Sequence, residues 1–298
     1  MKLYAPSYYS QFTCLADRCR HSCCIGWEID VDEDTLQKYA ALNTPFGKEL
    51  LQSIDPTDTP HFRLAASERC PHLDERGLCR IITSLGEGYL CDICREHPRF
   101  YHETAHGMEV GLGMACEEAC RLILTSDSYD TFTEQGDVSG APCPTAFDAT
   151  AERARIYAVL KNEALPYPAR LQAVAAKYDM SLSCRTDTEW RALLASLEYL
   201  NDAHRPLFAA YTTAATPDAA MHKALERALA YFVLRHCSAA EDITEFRAAL
   251  GFSLFCERLL ASMIEANACA PLEAARILSE ELEYSEENTE AIKDMFAQ

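Results

Sequence analysis

Four cysteines fall within eleven residues near the start of this sequence, Cys14, Cys19, Cys23 and Cys24, the last two adjacent. That crowding constrains the fold more than any other feature. Adjacent side chains diverge, so two neighbouring thiols rarely both pack as small hydrophobes, but both can serve one polynuclear centre or two adjoining ligand sets. Thiolates select zinc, copper(I) or iron–sulfur clusters, because soft sulfur donors match those metals. A redox or disulfide role is the competing use of the same residues. Gly26, beside the pair, allows backbone to approach such a site closely. Ten of the chain's 15 cysteines lie between Cys14 and Cys120, a stretch of 107 of its 298 residues. The odd total, with no export signal visible in residues 1–10, argues against a complete disulfide framework. The other five, Cys143, Cys184, Cys237, Cys256 and Cys269, are scattered and read as buried small hydrophobes.

Further thiols follow the first cluster at Cys70, Cys79, Cys91-x2-Cys94 and Cys116-x3-Cys120. Cys91-x2-Cys94 is the two-ligand loop of zinc knuckles and also of redox sites. Cys116 and Cys120, four apart, share a face if a helix begins there. The set fits neither a zinc finger with two clean pairs nor the C-x3-C-x2-C triplet of radical S-adenosylmethionine enzymes, since the last position is Gly26. His72 stands beside Cys70 and is a possible additional ligand. His97-x4-His102-x3-His106 offers nitrogen donors, although a solvated loop is the plainer reading. Gly111-Leu-Gly113 opens like a dinucleotide fingerprint but lacks the third small residue and a βαβ context. Tyr8 and Tyr9 precede the cluster, either to cover it or only to pack.

The chain then changes character. Residues 1–125 hold many punctuating residues and few periodic runs: one early helix capped by Asp32 or Asp34, a short helix ended by Gly86, a strand near Met108–Leu112 and a helix entered from Cys116. Residues 126–148, rich in Ser, Asp, Gly and Pro, read as a linker. From 149 to 298 the 3.6-residue period dominates, with a capping-box spacing at Thr186-x-x-Glu189 and an N-cap signal at Thr216-Pro217. The expected fold is therefore mainly α, an irregular cysteine-rich metal-binding half (1–125) followed by an α-helical bundle (149–298). A net charge of −19 argues against a nucleic-acid partner and favours basic ones. No apolar run reaches the length of a membrane span, so the expectation is a cytoplasmic protein with no membrane partner.

The order Cys14, Cys19, Cys23-Cys24-x-Gly26-Trp27-x-Ile29-x-Val31-Asp32 resembles the opening of the flagellin lysine-N-methylase family. So do Cys70-Pro71-x-Leu73 with Gly77-Leu78-Cys79-x-Ile81, Leu85-Gly86-Glu87-x-Tyr89-Leu90, Cys94-Arg95-x-x-Pro98-Arg99 and Cys116-x-Glu118-Ala119-x-Arg121-Leu122. These pieces run in order over residues 4–124. The family sits within a wider group of cysteine-cluster proteins described as zinc- or iron-chelating. The resemblance implies a lysine N-methyltransferase that uses S-adenosylmethionine on exposed lysines of a protein such as flagellin, with an iron–sulfur cluster (4Fe-4S in type) or zinc. It implies eight ligands, Cys14, Cys19, Cys23, Cys24, Cys70, Cys79, Cys94 and Cys116. Cys91 and Cys120 fall outside the pattern, as extra ligands or spectators; His97 and Glu117 replace the usual aromatic and proline. Arg95 and Arg99 are candidates to offset thiolate charge or to hold the carboxylate of S-adenosylmethionine. Glu87, Glu109 and Glu118 are available as bases, and the active site is expected where the two halves meet. The alternative is a non-enzymatic module in which zinc or an iron–sulfur cluster stabilises a protein-binding domain.

Overall fold

The first strand, Lys2–Pro6, finds its hydrogen-bonding neighbours only beyond residue 106, and this one long-range pairing reorganises the expected division of the chain. The computed structural model describes residues 1–142, 146–181, 184–266 and 270–296. It resolves into two compact units: Thr13–Pro98, and Met1–Phe12 together with Arg99–Gln298. The described residues are mainly α-helical, 53% of them in helices. Among them no helix is long and apolar enough to cross a membrane.

The larger unit carries a four-stranded sheet in the order Arg99–Thr104, Gly107–Leu112, Lys2–Pro6, Phe132–Asp137. The first two strands form an antiparallel hairpin from Arg99↔Leu112 to Thr104↔Gly107. Lys2–Pro6 pairs parallel to the second and antiparallel to Phe132–Asp137, with a register shift between Leu3 and Tyr4. Residues 126–148, whose composition marks a linker, thus contain a strand. Its sequence, FTEQGD, is polar because it lies at a sheet edge with its side chains largely exposed, so it lacks the alternation by which strands are recognised. Gly111, the core of the supposed dinucleotide fingerprint, is instead a strand residue under the Phe100 ring: a Cβ there would come within 2.2 Å of the ring.

The rest of the unit is helical, with Glu117–Thr125, Ala149–Leu160, Tyr167–Lys177, Asp187–Ser196, His222–Cys237, Ile243–Glu265, Pro271–Leu278 and Glu286–Asp294. Thr186 and Glu189 form the expected capping box, each accepting from the other's backbone N–H. The Thr216 cap does not form. Its N–H and hydroxyl both donate to Glu265, and the next helix is entered through a 3-10 turn capped by Asp218. The core is aromatic where Trp190 meets Phe255 at 4.4 Å between ring centroids and Phe296 at 5.5 Å. Buried charges are paired: Arg153 makes two hydrogen bonds to Glu109, at 2.6 and 2.7 Å, and Glu283 accepts from His236 and Tyr231 at 2.7 and 2.9 Å. Cys237 and Cys256 are fully buried among apolar residues, as expected, but Cys184 is exposed. Cys143 and Cys269 lie outside the described residues.

The smaller unit is built from short pieces: helices Glu33–Ala40, Pro45–Gln52, Arg80–Leu85 and Asp92–Glu96, and a two-stranded ribbon of Ile54–Asp55 and His61–Phe62. Asp32 caps the first helix, as expected, and Thr44 with Pro45 at the first turn caps the second. Ile29, Val31, Tyr39, Leu50, Ile54, Phe62, Ile81 and Leu90 form the apolar core, and Cys70 and Cys91 belong to it.

Candidate metal centre

Three local devices bring thiols together within Thr13–Pro98. Immediately after the Cys23-Cys24 pair, Gly26 takes φ +94°, a conformation costly for any side chain, and its N–H donates to Glu68 C=O at 3.1 Å. Ser67 and Glu68 are themselves left-handed (φ 59° and 54°), a strain of the kind found where a loop must present specific groups. The outcome is a backbone bond from Cys70 N–H to Cys24 C=O at 2.8 Å. Next, the Asp74 carboxylate accepts from Arg76 and Leu78 N–H, both at 2.9 Å, folding the chain back so that Leu73 and Cys79 pair across a bridge. Third, Asp32 caps two helices at once: one oxygen accepts from Thr35 N–H at 2.9 Å, the other from Asp92 N–H at 2.8 Å. The second bond anchors the short helix that bears Cys91 and Cys94.

Six free thiols result: Cys23, Cys24, Cys70, Cys79, Cys91 and Cys94. The sulfurs are near enough to perturb one another's ionisation. Cys23 is lowered to about 7 because the Cys24 thiol can hydrogen-bond its thiolate, and Cys24 is pushed up in exchange. Cys91 and Cys94 repeat the pattern, with Cys91 lowered and Cys94 raised. Burial pushes Cys70 up to about 11 and raises Cys79, with repulsion from the other thiolates added. In each pair one thiol is thus the easier to ionise and the other the harder. A bound cation relieves both the repulsion and the retained proton. This donor set fits a thiophilic metal or an iron–sulfur cluster. Among the described residues, the metal-capable trio whose ligand atoms all lie within 4.8 Å of one another is His204, Glu280 and Glu281, not a thiol trio. The thiols are gathered without being closed on a single mononuclear ion. The His204 trio is explained structurally, because Glu281 accepts from Leu200 and Asn201 N–H and from His204 at 2.5 Å.

Of the eight expected ligands, Cys23, Cys24, Cys70, Cys79 and Cys94 belong to this gathered set. Cys14 is exposed, its sulfur accepting Ala16 N–H at 3.4 Å, and Cys19 donates to His21 C=O at 2.6 Å. Cys116 belongs to the larger unit, where it precedes the helix Glu117–Thr125. Cys120, four residues on, is buried in that unit's core. Arg95, in the smaller unit, pairs with Asp92 and Glu96; Arg99, in the larger, donates to Tyr9 Oη at 2.8 Å and lies over the Phe12 ring. Tyr8 packs in the core of the larger unit.

The other candidates separate equally clearly. Glu109 and Glu118 are held by Arg153 and Arg121, and Glu87 is exposed. His72 is buried against Phe62 and bonded to Ser53 at 2.7 Å; burial lowers it to about 4, so it stays neutral. His102 does not sit on a solvated loop. It lies on the strand Arg99–Thr104 with Nε2 buried and without a hydrogen-bond partner, and burial together with His236, Arg153 and Arg235 lowers it to about 4. His106 is exposed and faces Asp148 at 3.1 Å. Cys91 is what the motif comparison leaves out and the structure brings in. The signal available in the sequence was its C-x2-C spacing from Cys94.

The chain is 30% identical over 137 residues to the lysine-N-methylase of Salmonella typhimurium, a match covering 44% of this chain and 34% of that protein. The lysine-N-methylase of Salmonella choleraesuis gives the same figures. The flagellar biosynthetic protein FliU of Salmonella muenchen is 31% identical over 126 residues, covering 40% of this chain and 75% of FliU. This chain belongs to the family of these lysine-N-methylase and FliU proteins. The match spans about a third of the length of the two methylases. No protein-family model and no solved structure matches the chain.

Proposed function

We propose that this protein is a protein lysine N-methyltransferase that takes its methyl group from S-adenosylmethionine and carries a thiolate-held metal or iron–sulfur centre, with flagellin as the protein substrate. The observation that carries this reading is the gathering of six free thiols in a chain related to lysine-N-methylases. Cys23, Cys24, Cys70, Cys79 and Cys94 would hold the centre. Zinc there would supply a fixed scaffold and Lewis acidity, a cluster one-electron chemistry.

The transfer itself asks for a neutral lysine amine in line with the sulfonium methyl group. The nitrogen lone pair forms the new N–C bond as the S–CH3 bond breaks and its electrons return to sulfur, leaving S-adenosylhomocysteine; the amine's extra proton passes to a carboxylate or to water. The chain's charge of −19 attracts lysine-bearing surfaces, as an on-rate effect that weakens with salt. The test incubates anaerobically purified, metal-replete protein with S-adenosylmethionine and flagellin, followed by mass spectrometry of the flagellin. Steps of about 14 daltons support the reading; their absence, with no calorimetric binding of S-adenosylmethionine, overturns it.

A second reading, a non-enzymatic module folded by its metal, draws on Cys70 and Cys91 being members of the apolar core itself. It requires metal to be retained with no methyl transfer, an outcome the same assay records.

A further inference from the structure

We propose that the groove between the helix Asp187–Ser196 and the short helix Arg205–Phe208 is a binding site for a small hydrophobic carboxylic acid. The site lies wholly in the larger unit and is independent of the gathered thiols.

The groove has a volume of about 260 Å3, close to the roughly 300 Å3 at which small-molecule pockets begin. Its apolar surface comes from the buried Leu194 and Phe208 and from Tyr199 and Pro206. The charged side chains lining it are Arg191 and Arg205, both cationic, in a chain of net charge −19. The segment 197–204, which joins the two helices, is fastened from outside the groove. Glu198 N–H donates to Asn288 Oδ1 at 3.1 Å, and Glu198 C=O accepts from Asn288 Nδ2 at 2.8 Å. Leu200 and Asn201 N–H donate to the buried Glu281 carboxylate at 2.7 and 3.2 Å. Tyr199 Oη donates to Leu194 C=O at 2.9 Å. A loop anchored this way does not fall in to cover the apolar surface, so the groove is preformed.

Both guanidiniums are oriented by backbone carbonyls and left short of carboxylate. Arg191 Nε donates to Tyr211 C=O at 2.8 Å. Its acidic neighbour, Asp187, stands 3.7 Å away. That carboxylate instead accepts from the Thr212 hydroxyl, the Thr213 N–H and the Thr213 hydroxyl, at 2.7, 2.8 and 2.7 Å. Arg205 lies 4.4 Å over the Tyr199 ring, and its Nη1 donates to Ala195 and Leu197 C=O at 3.2 and 3.4 Å. Its Nε donates at 2.7 Å to Asp202, whose side chain is 83% exposed, and so solvated a partner holds a cation weakly. Among the described residues no hydrogen bond engages either Nη of Arg191 or Nη2 of Arg205. Planar N–H groups held in place fit carboxylate oxygens, and the apolar surface between them fits the hydrocarbon body that such an acid carries.

The test titrates the full chain with 4-phenylbutyrate, octanoate, 4-phenylbutanol and 4-phenylbutylamine by calorimetry. Saturable one-to-one binding of an acid, about tenfold tighter than the alcohol and with no binding of the amine, supports the proposal. Arg191→Gln and Arg205→Gln are each expected to weaken the acid by about tenfold. Arg155→Gln, on the helix Ala149–Leu160 and outside the groove, should leave it unchanged. Ala209→Trp fills the groove without removing a charge and should abolish binding, which keeps the test decisive where an arginine variant misfolds. Three results overturn the proposal: neither acid saturates, the alcohol binds as tightly as the acid, or Ala209→Trp binds like the wild type. The two guanidiniums then serve only the carbonyls they already hold.

Discussion

Cysteine in Thr13–Pro98 and cysteine in the larger unit differ in what stands next to the sulfur. Cys70 and Cys91 are almost as inaccessible as Cys120, Cys237 and Cys256, so burial alone does not separate the two groups. In the larger unit each of these three thiols is dispersed in a continuous apolar core that also contains Trp190, Phe232, Phe252 and Leu259. In the smaller unit the apolar core is slight, its helices are eight residues or fewer, and the thiols are part of its centre. One region is stabilised by hydrocarbon, the other is short of it and concentrates donors instead. Small cores of this kind commonly depend on a metal.

The largest effect should come from stripping the metal proposed for the smaller unit. The chain's two tryptophans report on the two units separately: Trp27, whose indole N–H donates to Cys23 C=O at 2.9 Å, and Trp190 in the larger core. In Trp190→Phe protein a strong anaerobic chelator is expected to shift Trp27 emission to that of an unfolded chain. In Trp27→Phe protein the Trp190 emission should hardly change. Equal response of both tryptophans would erase the contrast drawn here.

Truncating the aromatic contact is the converse experiment. Trp190→Ala removes a 1%-exposed ring packed on Phe255 and is expected to cost about 3–5 kcal/mol by denaturant unfolding, with metal content unchanged. A Trp190→Ala protein that purifies with less metal would tie the two units together.

Glu257 offers a pH test confined to the larger unit. Burial raises it from 4.5 to about 7, opposed by Arg258 and by the Tyr167 hydroxyl, which donates to it at 3.0 Å. The folded state keeps this proton while the unfolded chain releases it. Stability should therefore fall by roughly 3 kcal/mol as pH rises from about 4.5 to 7, and no further above that. Glu257→Gln should flatten that slope, leaving the variant more stable than wild type at pH 8. An unchanged slope would show that Glu257 does not titrate in this window.

The smallest effect belongs to Asp32. Asp32→Ala removes two helix caps and is expected to cost about 1 kcal/mol per cap, measured on the metal-free and metal-loaded protein. Asp32 is held below the usual carboxylate range, since the Asp92 and Thr35 N–H groups outweigh its partial burial. Its contribution is thus present at neutral pH and lost as the carboxyl protonates in acid. If the loss is the same with and without metal, the cap does not position the thiols.

What the sequence made legible was local. Asp32 before an amphipathic turn, the Thr186–Glu189 box and the helix entered from Cys116 all depend on residues within four of one another, and all form. Thr216-Pro217 had the same local signal and failed because Glu265, far along the chain, binds Thr216 more directly than a helix end would. The strands Lys2–Pro6 and Phe132–Asp137 were unreadable for the same reason: their partners are remote, and Phe132–Asp137, at the sheet edge, needs no apolar pattern. At the candidate metal centre the motif covered five of the six gathered thiols. It passed over Cys91, whose partners Tyr39 and Cys79 meet it only after folding.

The chain leaves the larger unit after Phe12 and re-enters it at Arg99, and those two residues lie together, the Arg99 guanidinium 5.7 Å over the Phe12 ring. The thiol-bearing segment is therefore inserted, in chain order, between two strands of one sheet, and time enters the architecture. During synthesis the strand Lys2–Pro6 is made first but has neither of its neighbours until residues 107–112 and 132–137 have followed. Thr13–Pro98 is complete before either exists, so it can fold while the earlier strand still waits. If its ends lie close once it is folded, the loop the sheet must close is short, and less entropy is lost when the sheet finally forms.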